Sequence, residues 1–156
     1  QKGDGGMSEA VYELEPGLQI SLVTPENINY CWKGCEKYLM KSVKRSGDRD
    51  ALESIYRQIT SGEANLWIVF DDDINIHGCA VTQINAYDTG LKLLMIIHLG
   101  GQKMEDWIRQ GIDILERFAM TAECDGIEAF GRPGFWHWIK DEGWEKQAIV
   151  YQKRFN

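Results

Sequence analysis

The hydrophobic residues of this chain follow two periods, one of two residues and one of three to four. Leu18, Ile20 and Leu22 alternate with polar residues, as is typical of a half-buried strand. A proline follows at the start of a predicted helix, and the helical period then continues over 24–47. A second helix is predicted over 50–59. The inward stripe of the first helix comprises Trp32, Cys35, Leu39 and Val43.

The middle of the chain predicts three consecutive antiparallel strands. The run 66–70 is apolar, rich in β-branched and aromatic residues, and bounded by three aspartates, which favours a buried central strand. Residues 77–87 form its predicted hairpin partner. The turn 88–90 then leads into a third strand over 91–98. The three strands together predict a meander.

The last third of the chain predicts a crossover that returns to the sheet. A long helix is expected over 102–123, a short strand over 126–130, a short helix over 133–142 and a closing strand or hairpin over 146–155. A right-handed crossover places 126–130 parallel to 91–98. The order β-α-α-β-β-β-α-β-α-β therefore predicts an α/β fold, an α+β mixed sheet with helices on both faces.

Length and charge limit the classes of function. The 156 residues suit one domain, predicted over 7–156, with 1–6 as a flexible leader or expression remnant and the natural start at Met7. The longest apolar runs are far shorter than the roughly 20 residues of a membrane span, so no membrane interaction is expected. A formal charge of −7 argues against general nucleic-acid binding.

The four cysteines indicate neither a disulfide framework nor a metal site. Four are too few and too scattered for a disulfide scaffold, which favours a reducing, cytoplasmic setting. Zinc sites normally use closely spaced pairs such as Cys-x-x-Cys, and none occurs. No metal is therefore expected, and the thiols are interpreted as buried structural groups.

The element order and the C-terminal end resemble the GNAT superfamily of acetyl-CoA-dependent N-acetyltransferases. The resemblance covers 18–155 and includes a family-like ending of helix, glycine-aromatic pair and strand. The stretch 130–155 also looks like small GNAT-like proteins of phages and prophages. The resemblance at the C-terminal end depends on Gly131, Arg132, Pro133, Gly134, Trp136, Trp138, Glu142, Gly143 and Trp144.

The resemblance implies a cofactor loop after the third meander strand, where backbone N–H groups would bind the acetyl-CoA pyrophosphate. The family spaces its loop glycines, whereas two are adjacent here, so a simple tight turn is an equal alternative to an anion cradle. Glu105 and Asp106 would repel a pyrophosphate and Lys103 would offset part of that repulsion. The residues implied in cofactor binding are His98, Leu99, Gly100, Gly101, Gln102 and Lys103.

The same resemblance implies a base near the last meander strand. His98 ends that strand and its imidazole titrates near neutrality, so it is the candidate base, with an ordinary hydrogen-bonded histidine as the alternative. Glu128 on the neighbouring strand is a further catalytic candidate. Many members of the family supply a tyrosine acid at the position that Ile139 occupies here.

Two functional hypotheses follow from the sequence. The first is a divergent acetyl-CoA-dependent N-acetyltransferase, whose amine acceptor the sequence does not identify. The alternative is a non-catalytic, phage-type structural or binding protein that has lost the cofactor loop and acts in the host cytoplasm or virion. A homodimer through Trp136, Trp138 and Trp144 is expected in either case, because aromatic residues are enriched at interfaces.

Overall fold

The computed structural model describes residues 11–14 and 17–155, in which one six-stranded sheet carries helices on both faces. The leader predicted over 1–6 and the start at Met7 lie outside these residues. The strands are β1 (Val11–Leu14), β2 (Leu18–Leu22), β3 (Asn65–Asp71), β4 (Ile76–Ala86), β5 (Lys92–Gly101) and β6 (Gly126–Ala129). The helices are α1 (Ile28–Lys44), α2 (Leu52–Thr60), α3 (Ile108–Thr121) and α4 (Trp136–Ile139), with 3₁₀ turns at Pro25–Asn27, Met104–Asp106 and Pro133–Phe135.

The strands lie in chain order across the sheet, and the predicted meander and crossover are both confirmed. Each pair from β1 to β5 is antiparallel. β6 then lies parallel to β5, from Leu93 opposite Gly126 to Ile96 opposite Ala129. Helix α3 makes this crossover, since it connects two parallel neighbours.

Two hydrophobic cores lie on opposite faces of the sheet. On one face, Trp67 and Val69 of β3 belong to the same core as α3. On the other face, Leu66 belongs to the core that α1 and α2 complete. β3 is therefore buried on both sides, as its unbroken apolar run predicts.

Several element boundaries differ from the sequence prediction. β1 was not predicted, because its four residues are too short for a clear period; it pairs with β2 at the edge of the sheet. Helix α3 begins only at Ile108, since β5 runs to Gly101 and a 3₁₀ turn follows it.

The closing strand predicted over 146–155 is wrong for this structure. Residues 145–155 have no regular secondary structure, and all of them are exposed. Their β-forming residues have no neighbouring strand within 11–14 and 17–155, and a strand requires a ladder of hydrogen bonds to a neighbour. The helix predicted over 133–142 is also shorter, with one 3₁₀ turn followed by α4. No helix in the described part of the chain is long and apolar enough to cross a membrane.

Candidate functional site

A β-bulge in β5 determines where His98 points. Val81 of β4 lies opposite His98 and Thr82 lies opposite Ile96, so Ile97 is an extra residue on β5. Ile96 belongs to the α3 core, whereas Ile97 packs on the α1 side and His98 bonds to Ser42 of α1. Bulges redirect side chains in this way, and here the result is a histidine that faces α1 and α2.

Beyond the bulge, β5 has an unpaired edge. Its pairing with β6 ends at Ile96 and Ala129, although β5 continues to Gly101 and stays paired with β4. Within the described residues, the stretch 97–101 therefore has a strand partner on one side alone. Backbone groups of a strand alternate between its two edges, so some of these N–H groups point toward the side that β6 has left.

His98 lies between a serine and an aspartate. Its Nδ1 is 2.7 Å from Ser42 Oγ near the end of α1, and its Nε2 is 2.9 Å from Asp50 Oδ2 in the loop before α2. The side chain of His98 is 3% exposed. The three groups form one hydrogen-bonded row that leads from the α1–α2 loop to the partly buried Ser42.

The row fixes the tautomer and charge of His98. Because a carboxylate accepts hydrogen bonds and cannot donate them, Asp50 accepts from the Nε2–H of His98. Nδ1 is then free to accept from the Ser42 hydroxyl. Burial lowers the pKa of His98 below its usual value. The negative charge of Asp50 raises this pKa, but its effect is smaller than that of burial. His98 is therefore a neutral imidazole at neutral pH, able to accept a proton through Ser42.

Sequence reasoning did not find Ser42 or Asp50. They lie 56 and 48 residues from His98 along the chain, so no local spacing connects them. A signal existed for Ser42, which follows Cys35 and Leu39 at helical spacing and is thus a polar residue on the buried stripe. No comparable signal existed for Asp50.

Gly100 and Gly101 lie in β5 and not in the turn that follows it, because they pair with Cys79 and Gly78. A Cβ on Gly100 would lie 2.7 Å from the carbonyl oxygen of Tyr38 in α1. A Cβ on Gly101 would lie 2.6 Å from the Trp107 ring. The adjacent glycines are thus explained by close packing on both faces, and their part in cofactor binding stays a prediction.

Adding one methyl group here should destabilise the fold. In Gly78→Ala the new Cβ would lie 2.5 Å from the Trp107 ring and 2.9 Å from the carbonyl oxygen of Gly100, so neighbouring backbone must move. We expect a loss of about 1–3 kcal/mol in the free energy of unfolding, measured by urea denaturation. Gly134→Ala is the matched control, since its Cβ would have no neighbour within 4 Å. Equal stability of the two variants would contradict this packing.

The turn between β5 and α3 presents backbone amides. The N–H of Gln102 bonds to the carbonyl of His77 at 2.8 Å, and Trp107 Nε1–H bonds to the carbonyl of Gln102 at 3.1 Å. Lys103 then adopts the left-handed conformation, with φ 49° and ψ 45°, before the 3₁₀ turn Met104–Asp106. Successive amides in such a left-handed to right-handed sequence converge into an anion-binding concavity.

Among the described residues, none accepts a hydrogen bond from the backbone N–H of Lys103, Met104 or Glu105. The side chains of Glu105 and Asp106 are exposed and add negative charge close by. The turn therefore offers an anion three backbone N–H donors and the positive charge of Lys103. The carboxylates of Glu105 and Asp106 would repel the same anion.

Comparisons with known proteins agree with this architecture. An aminoglycoside acetyltransferase from an uncultured soil metagenomic sample, solved with sisomicin, superposes with a TM-score of 0.69 at 10% identity, covering 92% of this chain and all of that one. A ribosomal-protein-alanine N-acetyltransferase from Brucella melitensis biovar Abortus 2308 gives 0.63 at 14% identity, covering 89% of this chain and 99% of that one. The chain has the GNAT acetyltransferase fold.

A third protein with this fold was solved together with acetyl-CoA. It is described as a predicted acetyltransferase from Clostridium acetobutylicum with acetyl-CoA, and it superposes with a TM-score of 0.63 at 10% identity over 88% of this chain and 96% of that one. No protein-family model and no curated protein sequence matches the chain. The likeness is therefore one of fold, and it confirms the expected mixed sheet with its crossover.

Glu128 lies on the same face of the GNAT sheet as His98. Its neighbours Ile127 and Ala129 pack with the α3 core, so Glu128 points to the opposite face. It is half-buried and accepts a hydrogen bond from the Tyr87 hydroxyl at 3.3 Å. Its position opposite Met95, three residues before His98, places it where β5 and β6 are still paired.

The aromatic residues expected at a dimer interface are partly buried in this chain. Trp136, Trp138 and Trp144 all pack against the α3 core, and Trp144 stacks edge-on with Phe135. Ile139, where a tyrosine acid was expected from the family, is buried in the same core. Each tryptophan thus has a role within one chain, and the predicted interface stays a prediction.

Three of the four free cysteines, Cys31, Cys35 and Cys79, pack in the core on the α1 side, whereas Cys124 packs against the α3 core. Cys35 and Cys79 are buried, and the pKa of Cys31 is raised by its hydrogen bond with Cys35 and then by burial. Among the described residues, no three His, Cys, Asp or Glu side chains are arranged to hold a metal ion. The buried thiols of Cys35 and Cys79 are therefore packing groups of this core.

Proposed function

We propose that this protein is an acetyl-CoA-dependent N-acetyltransferase that acetylates a primary amine. The observation that carries the proposal is the departure of β6 from β5 after Ile96 and Ala129, beside the amide-lined turn at Lys103. Together these features offer an open strand edge for an extended acyl-carrying arm and an anion site at its end. The GNAT fold of the neighbours, one of them solved with acetyl-CoA, supports the same reading.

The residues present fit acetyl-CoA in two places. The open edge of β5 beyond the bulge, including Leu99, offers N–H donors to the amide and carbonyl groups of the cofactor arm. The amides of Lys103, Met104 and Glu105, which have no acceptor among the described residues, suit the diphosphate. Acetyl-CoA, when bound, supplies the acetyl group as an activated thioester.

His98 and Ser42 would handle the proton of the acceptor amine. A protonated amine must lose a proton before it can act as a nucleophile, and the neutral Nδ1 of His98 can take that proton through the Ser42 hydroxyl. Asp50 holds the ring in the required tautomer and stabilises the imidazolium that results. Glu128 lies on the same face but beside the paired part of the strands, so we assign the base to His98.

Binding of acetyl-CoA tests the proposal directly. At a ligand concentration about 100 times the dissociation constant, the free energy of unfolding should rise by roughly 2.7 kcal/mol, visible as a higher melting temperature. Acetyl-CoA and CoA should both give the shift. If neither moves the melting temperature at saturation, the acetyltransferase proposal fails and the non-catalytic alternative replaces it.

Lys103→Asn separates cofactor binding from folding. Asparagine tolerates the left-handed conformation of this residue, so the turn should keep its shape while the cation is lost. We expect weaker binding of acetyl-CoA by isothermal titration calorimetry, by a factor of about 10–150, since a charge-assisted bond to phosphate contributes about 1.5–3 kcal/mol. Lys33→Asn on the exposed face of α1 is the control and should bind as the wild type does. Equal affinity of both variants would remove Lys103 from the site.

A further inference from the structure

The end of helix α1 reaches the point where β6 leaves β5. The helix runs antiparallel to β5, since the carbonyl of Tyr38 lies over Gly100 and Ser42 Oγ bonds to His98 at 2.7 Å. Arg45 follows Ser42 by three residues, which is about 4.5 Å further along the helix. One residue of a strand spans about 3.3 Å, so Arg45 lies above β5 between one and two residues before His98.

Arg132 approaches the same point from β6. Ile96 of β5 is opposite Ala129, the last paired residue of β6, and Arg132 follows Ala129 by three residues. Partial burial lowers the pKa of Arg45 below its usual value, and the positive charge of Arg132 lowers this pKa further. The two side chains, called the arginine pair below, thus reach the opening between the strands from two sides.

The arginine pair has no carboxylate partner. Among the residues that the structure describes, neither guanidinium forms an ion pair or a hydrogen bond. The two carboxylates of the α1–α2 loop bind other cations or donors, Asp48 with Arg154 at 3.0 Å and Asp50 with His98 at 2.9 Å. Because two like charges repel one another, an anion that binds between the two guanidinium groups is favoured.

The surroundings of the arginine pair add positive charge. The segment 41–50 has two acidic residues, Asp48 and Asp50, and four basic ones, namely Lys41, Lys44, Arg45 and Arg49. This local excess contrasts with the formal charge of −7 of the whole chain. Glu128 on the same face accepts a hydrogen bond from Tyr87 and forms no ion pair with a described basic residue. The positive potential of the opening therefore attracts anionic ligands.

We propose that the acceptor is a small amine that also carries an oxyanion, either a phosphate monoester or a carboxylate, and that the arginine pair binds this oxyanion. The inference rests on the acetyltransferase function proposed above. A guanidinium presents paired N–H donors that match two oxygens of either group. Arg45 lies one helical turn from Ser42, the group that would take up the amine proton. A short molecule, with a few bonds between amine and oxyanion, therefore fits both groups.

Matched acceptors test the chemistry of this site. O-phosphoethanolamine is compared with ethanolamine, and β-alanine with β-alaninamide, by the release of the CoA thiol. We expect kcat/KM to be about 10-fold higher, or more, for the anionic member of at least one pair. Preference in the first pair alone assigns a phosphate, preference in the second alone assigns a carboxylate, and preference in both assigns either oxyanion. Acetylation without preference in either pair would overturn the proposal.

Substitution of the arginines links the preference to this site. Arg45→Gln and Arg132→Gln should each lower the preference about 10-fold through KM and not through kcat, because each removes binding energy that substrate and transition state share. Both side chains are exposed, and a melting curve checks that the variants fold. Arg117→Gln, exposed on α3 across the sheet, is the control and should keep the wild-type preference. Unchanged preference in both arginine variants would contradict the site. A loss of acetyl-CoA affinity in both would do so too, because the pair would then bind the cofactor.

Binding without turnover separates this inference from the proposed function. O-phosphoethanolamine and β-alanine are titrated calorimetrically into protein that contains excess CoA. The wild type should bind the preferred compound at least about 10-fold more tightly than the variant that combines Arg45→Gln with Arg132→Gln. Release of CoA with no such difference in binding overturns the oxyanion site and leaves the acetyltransferase. A clear difference without CoA release from any amine supports the oxyanion site and overturns the acetyltransferase.

Discussion

Replacing His98 by glutamine is expected to lower the acetylation rate by roughly 10²–10⁴-fold, the usual contribution of a positioned general base. Glutamine can keep hydrogen bonds to Ser42 and Asp50 but cannot take up a proton at neutral pH. The pH profile of the wild-type rate should have an acidic limb, in which the rate decreases as the pH falls below ~6.5, because burial lowers the pKa of His98. That limb should be absent from the variant. Release of the CoA thiol, with the primary amine that the wild type acetylates fastest, measures both effects.

The chain contains a matched control for this substitution. His137 on α4 is exposed and lies edge-on to Trp138, away from the row that holds His98. His137→Gln should retain the wild-type rate and the acidic limb. If His98→Gln keeps both as well, His98 is a structural histidine, and the base lies elsewhere.

The same histidine should make stability depend on pH. The pKa of His98 is lower in the folded chain than in the unfolded chain, so between the two values the unfolded chain binds more protons. The free energy of unfolding therefore falls as the pH drops below about 6.5, and it is fully regained above that value. Urea denaturation at pH ~7.5 and ~5.5 should show a smaller difference for His98→Gln than for the wild type.

Trp107→Ala is expected to cause the largest loss of stability, about 3–5 kcal/mol. The Trp107 ring is 3% exposed and lies against the backbone of Gly78 and Gly101, where no side chain could replace the lost volume. Its Nε1–H also bonds to the carbonyl of Gln102 at 3.1 Å. Chemical denaturation measures the loss.

Because Trp107 supports the turn at Lys103, its removal should also weaken acetyl-CoA binding at temperatures where the variant is still folded. Trp107→Phe keeps most of the buried area but loses the bond to Gln102, so we expect an intermediate loss of stability. A Trp107→Ala variant with wild-type stability would contradict the packing described for this corner of the fold.

Much of the fold could be predicted from the sequence, because hydrophobic periodicity reports which face of each element is buried. The run 66–70 shows this most clearly, since both faces of β3 are covered in the structure. The sequence prediction failed for elements whose conformation depends on a neighbouring strand. β1 is a strand because β2 lies beside it. The segment 146–155 forms no strand, because no strand among the described residues lies beside it.

The candidate site was predicted in part. His98 was identified because it is a titratable group near the end of a strand, but its side chain direction depends on a one-residue bulge at Ile97. The two adjacent glycines were predicted to lie in a loop after the strand, either an anion cradle or a tight turn, whereas they belong to β5 and have close contacts with Tyr38 and Trp107. Such contacts join residues far apart in the chain, and no local pattern encodes them.

The sequence by itself determined the order of elements from β2 to α4, including the meander and the crossover, because each depends on the spacing of hydrophobic residues within a short window. The tertiary structure alone decided that Ser42, His98 and Asp50 meet, and that β6 leaves β5 after Ala129. Both depend on the register between strands and on helix packing across the sheet. A shift of one residue in the pairing of two strands moves each side chain to the other face of the sheet, so the sequence pattern could not determine the site.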